Sequence, residues 1–543
     1  MQMSFLAAAA LLPFLQVLPP TEEVRPDSAR TRRAAEEAQA GFERERRRYL
    51  PIYRGGRPSP CDERIGRFCY WYESGAPLPE ESPHAVRGRE RLLRLLEEAQ
   101  ADLPGDGWIT GQLVRYLVEH GRADTAVAWA RACGADQGWC GALLGFSLHA
   151  AGRFDESGRA FDLALSRMPA AEANAWRDLE QVLEEDAPPA RADSLLWLGD
   201  PLFSRPGNDL RTELLARRVM IRLLTDAERT DRLSWGSDAS EMLYRYGWPV
   251  RWSLDLPRTS ALDQGSVVGH ERQPAYGFFP AGRRMLWDPA RPRPRARYSP
   301  SYVKAFTTQG EHQLALFRRG DSALAVAAFD LRRDTLFGEA AVRTALALVR
   351  DPATDPIFVA TEHPIPRGVV MTSAPWHPGV VSLEIEHGTK ERFAVARALV
   401  PPRDSEPALS DLLVFDPGPS TPGTLDEAAL SARSDLRLSR RRPIGLYWEV
   451  YDASGDTIRV SIAVVPGRPG FLSRMGRSLG VVGKQPPVRL EWAGPAKGEP
   501  AVHGRAIELD LSRLGTGRYE IVVEARDRSG RRATARRPVV IVN

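Results

Sequence analysis

The sequence predicts a multidomain α+β protein: α-helical hairpins in front, a small mixed α/β region in the middle, and two C-terminal β-sandwiches. Three observations carry this. At 543 residues the chain exceeds what one hydrophobic core supports, so several domains are expected. From Arg91 to about Asp186 the pattern is helical and free of strand-like alternation. From about Tyr302 onward alternating strands and turn signals dominate, and proline leans toward this second half. Apolar content of 43% and charged content of 27% are those of a folded chain, which argues against extensive disorder.

The first twenty residues, MQMSFLAAAALLPFLQVLPP, form an apolar run of signal-peptide length, too short to span a bilayer comfortably and interrupted by Pro13; an uncleaved N-terminal anchor is the alternative. No other segment is long and apolar enough to cross a membrane. The expected location is therefore periplasmic or extracellular. Residues 21–87 follow as a linker and helix containing Cys61 and Cys69; Cys133 and Cys140 form a second local pair. In an oxidising compartment these spacings suit two small disulfides. A zinc site, for which C-x7-C and C-x6-C are poor matches, and buried free thiols are the alternatives.

Residues 88–190 form the helical domain. The stretch from Leu143 to Pro169 resembles a tetratricopeptide repeat. Leu144, Gly145 and Leu148 sit where the first helix carries its packing residues. Gly152 and Phe154 fit the turn, and Phe161, Ala164 and Pro169 fit the second helix and its stop. Ser157 stands where alanine is usual. An upstream copy runs through Leu113, Leu117, Gly121, Ala123 and Ala126. The resemblance implies a concave surface for a protein or peptide partner, with a purely structural helical cap as the alternative.

Residues 191–254 carry a second resemblance. Trp197, Asp200, Pro201, Asn208 and Glu213, followed by Trp235, Asp238, Tyr244, Tyr246, Gly247 and Pro249, stand in the order of the GWxTD domain. This bacterial domain of unknown activity is often found in exported proteins. Ser234, Ser237, Ala239 and Ser240 depart from its pattern. The resemblance implies a strand ending in Y-G-x-P, here Glu241–Tyr246. Read from the residues alone, Asp238 hydrogen-bonds turn amides and the aromatic rings pack as a core.

Residues 255–305 are rich in proline and arginine and read as a linker. Sandwich strands occupy 306–418 and 445–543, separated by a linker at 419–444 that holds a short helix; their pattern resembles immunoglobulin-like modules of exported proteins. The modules would follow one another like beads, as platforms or spacers.

The chemistry expected is sparse. The 74 basic and 70 acidic residues leave a net charge of +4, with both signs interspersed. Arg46–Arg48 and Arg440–Arg442 read as solvated surface, so no nucleic-acid partner is expected. Gly476–Gly480 fits G-x-S-x-G but lacks a following helix, and Ser301–Lys304 fits S-x-x-K without its downstream partner. His270-Glu271 and the group His377, Glu384, Glu386 and His387 are the nearest approaches to clusters. Glu384 and Glu386 share one strand face and read as solvent-facing. No catalytic, metal-binding or cofactor-binding residue is assigned. Two functions remain in view. One is a non-enzymatic envelope protein binding a partner in an exposed groove of the helical half. The other is an envelope hydrolase of saccharide or peptide, with carboxylates of perturbed pKa beside the Trp235–Trp252 aromatics.

Overall fold

The computed structural model describes residues 27–53, 61–71, 79–182, 196–197, 199–255, 266–271, 296–298, 300–303, 305–307, 311–335, 337–351, 354–388, 392–402, 408–452, 457–467, 488–495 and 502–543. The apolar leader, Lys304, Gly476–Gly480 and most of 255–305 lie outside them. The described chain is a mixed α+β protein with a helical front and several antiparallel sheets.

The front begins with α1 (Ser28–Arg48), whose N-cap Asp27 accepts from the amides of Ala29 and Arg30. Short strands β1 (Ile52–Tyr53), β2 (Glu63–Ile65) and β3 (Phe68–Tyr70) follow. Then come α2 (Pro83–Asp102), α3 (Gly107–Glu119), α4 (Ala123–Arg131), α5 (Gln137–Ala150), α6 (Phe154–Arg167) and α7 (Ala170–Arg177). Gly121 and Gly152 close the α3–α4 and α5–α6 turns at φ 79° and 73°, a conformation that glycine adopts without strain. At Gly145 the helices α5 and α6 approach so closely that a Cβ would lie 2.8 Å from the Phe161 ring. Ser157 donates to the carbonyl of Gly145 at 2.8 Å, which gives the hydroxyl at this position a structural use. Leu148, Phe154, Phe161 and Ala164 are buried, Leu144 is partly buried, and Pro169 caps α7. Both disulfides are formed; Cys133–Cys140 joins the end of α4 to the start of α5.

Two more helices complete the front: α8 (Asp209–Thr225) and α9 (Ser237–Tyr246). The strand expected at Glu241–Tyr246 is therefore a helix. Its buried residues Ala239, Leu243, Tyr244 and Tyr246 fall at helical intervals, and Gly247 at φ 92° ends it. After it, β4 (Arg251–Asp255) pairs in parallel with β1 and antiparallel with β5 (Ser266–His270). The stretch read as a linker thus contains a paired strand.

The first β unit has two sheets. Strands β6 (Ala305–Thr307), β9 (Val342–Val349), β10 (Ile357–His363), β12 (Gly379–His387) and β13 (Arg392–Val400) form one, in the order β10-β9-β12-β13-β6. Strands β7 (Glu311–Arg319), β8 (Ser322–Asp330) and β11 (Arg367–Pro375) form the other. Leu316, Ala327 and Phe329 of one sheet meet Leu346, Leu383 and Ile385 of the other in a common core.

The second β unit consists of β14 (Ala408–Leu409), β15 (Leu413–Phe415), α10 (Leu425–Leu430), β16 (Arg437–Ser439), β17 (Ile444–Tyr451), β18 (Thr457–Pro466), β19 (Val488–Pro495), β20 (Val502–Leu509), β21 (Gly517–Arg526) and β22 (Arg532–Val542). Strand β17 pairs with β14, β15 and β20, and a five-stranded sheet runs β16-β22-β21-β18-β19. The two units are not beads. Phe317 and Val326, on the outer face of the three-stranded sheet, pack against Leu413, Phe415, Leu425, Ala428 and Tyr447. Arg537 adds a tie by donating to the carbonyls of Leu412 and Leu314 at 2.8 and 3.0 Å. The segment 419–444 supplies α10 to this contact and β16 to the five-stranded sheet.

Candidate functional site

Helix α8 decides how the front is used. It lies along α3 and α5, on the face where a repeat groove was expected to be open. Gln112 donates to the carbonyl of Leu223 at 2.8 Å. A Cβ on Gly111 would meet Leu223 at 2.7 Å, and the Arg222 guanidinium sits 4.2 Å from the Trp139 ring centroid. The groove is occupied by the chain itself, because residues 210–223 of α8 present their own apolar stripe of Leu215, Ala216, Val219, Met220 and Leu223 to it.

The first turns of α8 position two residues from the first half of the sequence motif, Asn208 and Glu213. Asn208 is its N-cap, accepting from the Arg211 amide at 2.8 Å while its amide donates to the Leu196 carbonyl at 2.8 Å. Glu213 bridges two elements: its carboxylate lies 2.7 Å from Arg217 Nε and 2.8 Å from His149 Nε2 on α5. His149 Nδ1 lies 2.9 Å from the Thr212 hydroxyl. Burial acts to raise the Glu213 pKa, but the Arg217 guanidinium and His149 hold it down to about 2. Arg217 then reaches the carbonyls of Tyr244, Arg245 and Arg297, closing the end of α9.

Beside this network lie two buried aspartates. Asp209 accepts from the Tyr302 hydroxyl at 2.7 Å through Oδ2, while Oδ1 is buried without a hydrogen-bond partner among the described residues. Burial pushes Asp209 up to about 6, against the pull of the Tyr302 and Tyr298 hydroxyls and His149. Burial, and then the Asp209 charge, push Asp200 well above the usual carboxylate range, while Arg397 pulls it back. The two carboxyl groups influence each other through charge, and both side chains are enclosed.

The segment around Asp200 is locked to the first β unit by Glu384. This carboxylate accepts from the Phe203 amide at 2.8 Å and from the Ser204 amide and hydroxyl at 3.0 and 2.5 Å. It is 3% exposed, so its reading as solvent-facing is wrong. One face of β12 meets the facing sheet, as expected; the other is covered by residues 200–205. Phe203 packs with Ala347, Val349, Val380 and Trp197, and Leu202 with Phe393 and Val395. Arg397 donates to the Pro201 carbonyl at 3.0 Å, its guanidinium 4.2 Å from the Phe203 ring centroid. Glu386 is half-buried beside Arg205 at 3.3 Å. Alternation along one strand could not reveal a cover that comes from a segment some 180 residues away.

The second half of the motif grips a different element. Asp238 receives Arg67 Nε and Nη2 at 2.7 and 2.8 Å, and the amides of Arg67 and Ala239 at 3.2 and 2.9 Å. These bonds hold its carboxyl well below the usual range. Arg67 also donates to the hydroxyl and carbonyl of Ser234. A Cβ on Gly66 would sit 2.6 Å from Asp238, so the tip of the hairpin that Cys61–Cys69 staples has to be glycine. Tyr246 stacks on Tyr70 with centroids 3.7 Å apart and bonds Glu63. Tyr244 donates to the Asp178 carbonyl under Arg218, Trp235 lies beside Arg229, and Pro249 abuts Gly269. The motif residues are thus divided between two anchoring sites.

Of the two short arginine runs, Arg46–Arg48 is not free surface. Arg46 is buried between Glu43, Glu81 and Glu119, and Arg47 pairs with Glu228 at 3.2 Å. Ser253 and His270 lie 2.6 Å apart across β4 and β5, with Ser253 fully buried. Among the described residues no group of three or more histidine, cysteine or acidic residues is placed to hold a metal ion, and no helix is long and apolar enough to cross a membrane.

No protein-family model and no curated protein matches the sequence. Among solved structures the chain is similar to a red sea bream transglutaminase at 11% identity, over 43% of this chain and 31% of that one, with a TM-score of 0.14. It is also similar to a tetra-tandem repeat from the extending region of a large adhesion protein at 14% identity, over 43% and 49%, with the same TM-score. The chain spans less than half of either protein's length, and likenesses this slight assign neither fold nor function.

Proposed function

We propose that this chain is a non-enzymatic, exported envelope protein that binds a protein or peptide partner, with the partner pairing at the edge strand β10. The observation that carries this reading is the exposure of that edge. β10 has β9 as its one strand neighbour among the described residues, and Ile357 through Glu362 are all exposed. Ile357, Phe358 and Val359 are 45%, 41% and 42% accessible. A long apolar edge strand is a template for strand addition, and proteins ordinarily blunt such edges when nothing binds them. The helical half serves as scaffold, since α8 takes the place a peptide would occupy. The two disulfides and the lack of a membrane-spanning helix among the described residues fit export.

A photoreactive residue placed at Val359 of the full chain, in its native cells, tests this against the same residue at exposed Leu163 on α6. The expected result is one discrete adduct from position 359, lost when Phe358→Lys is added. An adduct from position 163 alone, or none from either in a folded and exported protein, overturns it.

A second reading, an envelope hydrolase of saccharide or peptide, is favoured by one feature: the buried Asp200 and Asp209 pair. Turnover by the purified chain that is lost in Asp200→Asn, with β10 cross-linking intact, would favour it.

A further inference from the structure

The outer face of the five-stranded sheet concentrates charge that the whole chain otherwise balances. On β18, β21 and β22 the cross-strand register places Arg459 opposite Arg526, and Arg526 opposite Arg532. Directly opposed residues stand about 5 Å apart, so three guanidinium groups rise in one row across three strands. All three alternate with buried neighbours (Val460, Ala525, Ala533), which fixes them on the outward side. The same side carries Arg437, Arg489, Arg518 and Arg536. The acids on it among the described residues are Glu491, Glu520 and Glu524, each within 3.7 Å of an arginine. Among the described residues, seven arginines against three glutamates leave an excess of four positive charges on this face. The remaining outward residues of β18, β21 and β22 are small or aliphatic, such as Ser461, Ala463, Val522 and Thr534.

Like charges directly opposed across strands destabilise a sheet. A row of three is a costly arrangement unless an anion offsets it. Arginine presents a planar fork that matches carboxylates and phosphates bidentately. Spacing separates these. The row's guanidinium groups, about 5 Å apart, can converge on a single carboxylate, and the next arginines along these strands are distant: Arg536, itself paired with Glu520 at 3.2 Å, lies four residues beyond Arg532, about 13 Å, and Arg518 lies eight residues from Arg526, about 26 Å. Nucleic acid carries a phosphate every ~3.4 Å along each strand, and single strands are held by stacking on aromatics. No aromatic ring stands among the described outward residues of β18, β21 and β22.

We propose that this face binds an acidic polysaccharide with widely spaced carboxylates, seated first on the row of Arg459, Arg526 and Arg532. The site is separate from the β10 edge and does not depend on it.

The test is calorimetric titration of the full chain with hyaluronan, which bears one carboxylate per disaccharide. Dextran is the neutral control and single-stranded poly(dT) the dense-phosphate control. Binding to hyaluronan that weakens as NaCl rises, with none to dextran, is expected. The triple variant Arg459→Gln, Arg526→Gln, Arg532→Gln should bind about tenfold or more weakly. The control triple Arg343→Gln, Arg350→Gln, Arg367→Gln, which removes equal charge from the first β unit, should stay within about twofold. If the first triple fails to fold, Arg459→Gln alone should cost about threefold. Absence of salt-sensitive hyaluronan binding, equal losses in the two triples, or tighter binding of poly(dT) than of hyaluronan would each overturn the proposal.

Discussion

Replacing Asp209 with asparagine removes the charge whose burial sets this residue apart. An aspartate that titrates near 3.8 in the unfolded chain and at about 6 in the folded one binds its proton more tightly when folded. Stability therefore falls as pH rises through that interval, and the penalty is complete above pH 6. At 1.36 kcal/mol per pH unit it reaches about 3 kcal/mol at pH 7.5. At pH 4.5 it is about 1 kcal/mol, so this one residue makes the wild-type front about 2 kcal/mol less stable at the higher pH. Asp200 shifts in the same direction, partly because of the Asp209 charge, so Asp209→Asn also relaxes it. The amide oxygen can still accept from Tyr302. The amide nitrogen, however, falls where Oδ1 has no partner among the described residues, at an offset of about 1–3 kcal/mol that does not depend on pH. The quantity to compare is the pH dependence, not the absolute stability. Urea unfolding of both proteins at pH 4.5 and 7.5, followed by tryptophan fluorescence, measures it. The loss between the two pH values should shrink by about 2 kcal/mol in the variant. Equal losses in the two proteins would refute the account of Asp209 as a buried, disfavoured charge.

Other consequences follow from the same geometry. Glu384→Ala removes the acceptor of the Phe203 and Ser204 amides and should cost about 2–4 kcal/mol, exposing the Phe203–Ser204 peptide bond to chymotrypsin; unchanged chymotryptic resistance at that bond would contradict the anchoring role. Glu213 is depressed to about 2, so its contribution is full above pH 4.5 and is lost as pH falls toward 2; Glu213→Gln should flatten acid unfolding in that window. Gly145→Ala drives a methyl into the Phe161 ring and should cost about 1–3 kcal/mol by thermal unfolding, whereas Gly121→Ala, with open space around its Cβ, should lose only what a positive φ costs. Arg67→Ala should speed hydrogen exchange at Glu63–Tyr70 while leaving α5 and α6 protected; equal exchange in both proteins would show that Asp238 does not hold the hairpin.

The local elements were legible along the chain. Helical periodicity, the turn glycines Gly121 and Gly152 and the close packing at Gly145 are properties of neighbours in the chain, and the α5–α6 hairpin follows from them. The cysteine spacings left three readings, and placement in space selected two disulfides. The strand expected at Glu241–Tyr246 failed because six residues of mixed character satisfy either period, and Arg217 and Tyr70 supply the contacts that favour the helix. That α8 fills the helical groove, that Glu384 is an interior anchor, and that Asp200 and Asp209 share a buried site emerge from packing between distant segments. Each depends on a surface brought from a distant segment, and alternation along one element records that a face is polar without recording what will cover it. The arginine row has the same origin: Arg459 and Arg526 stand 67 positions apart in the chain, and cross-strand register alone sets their charges side by side.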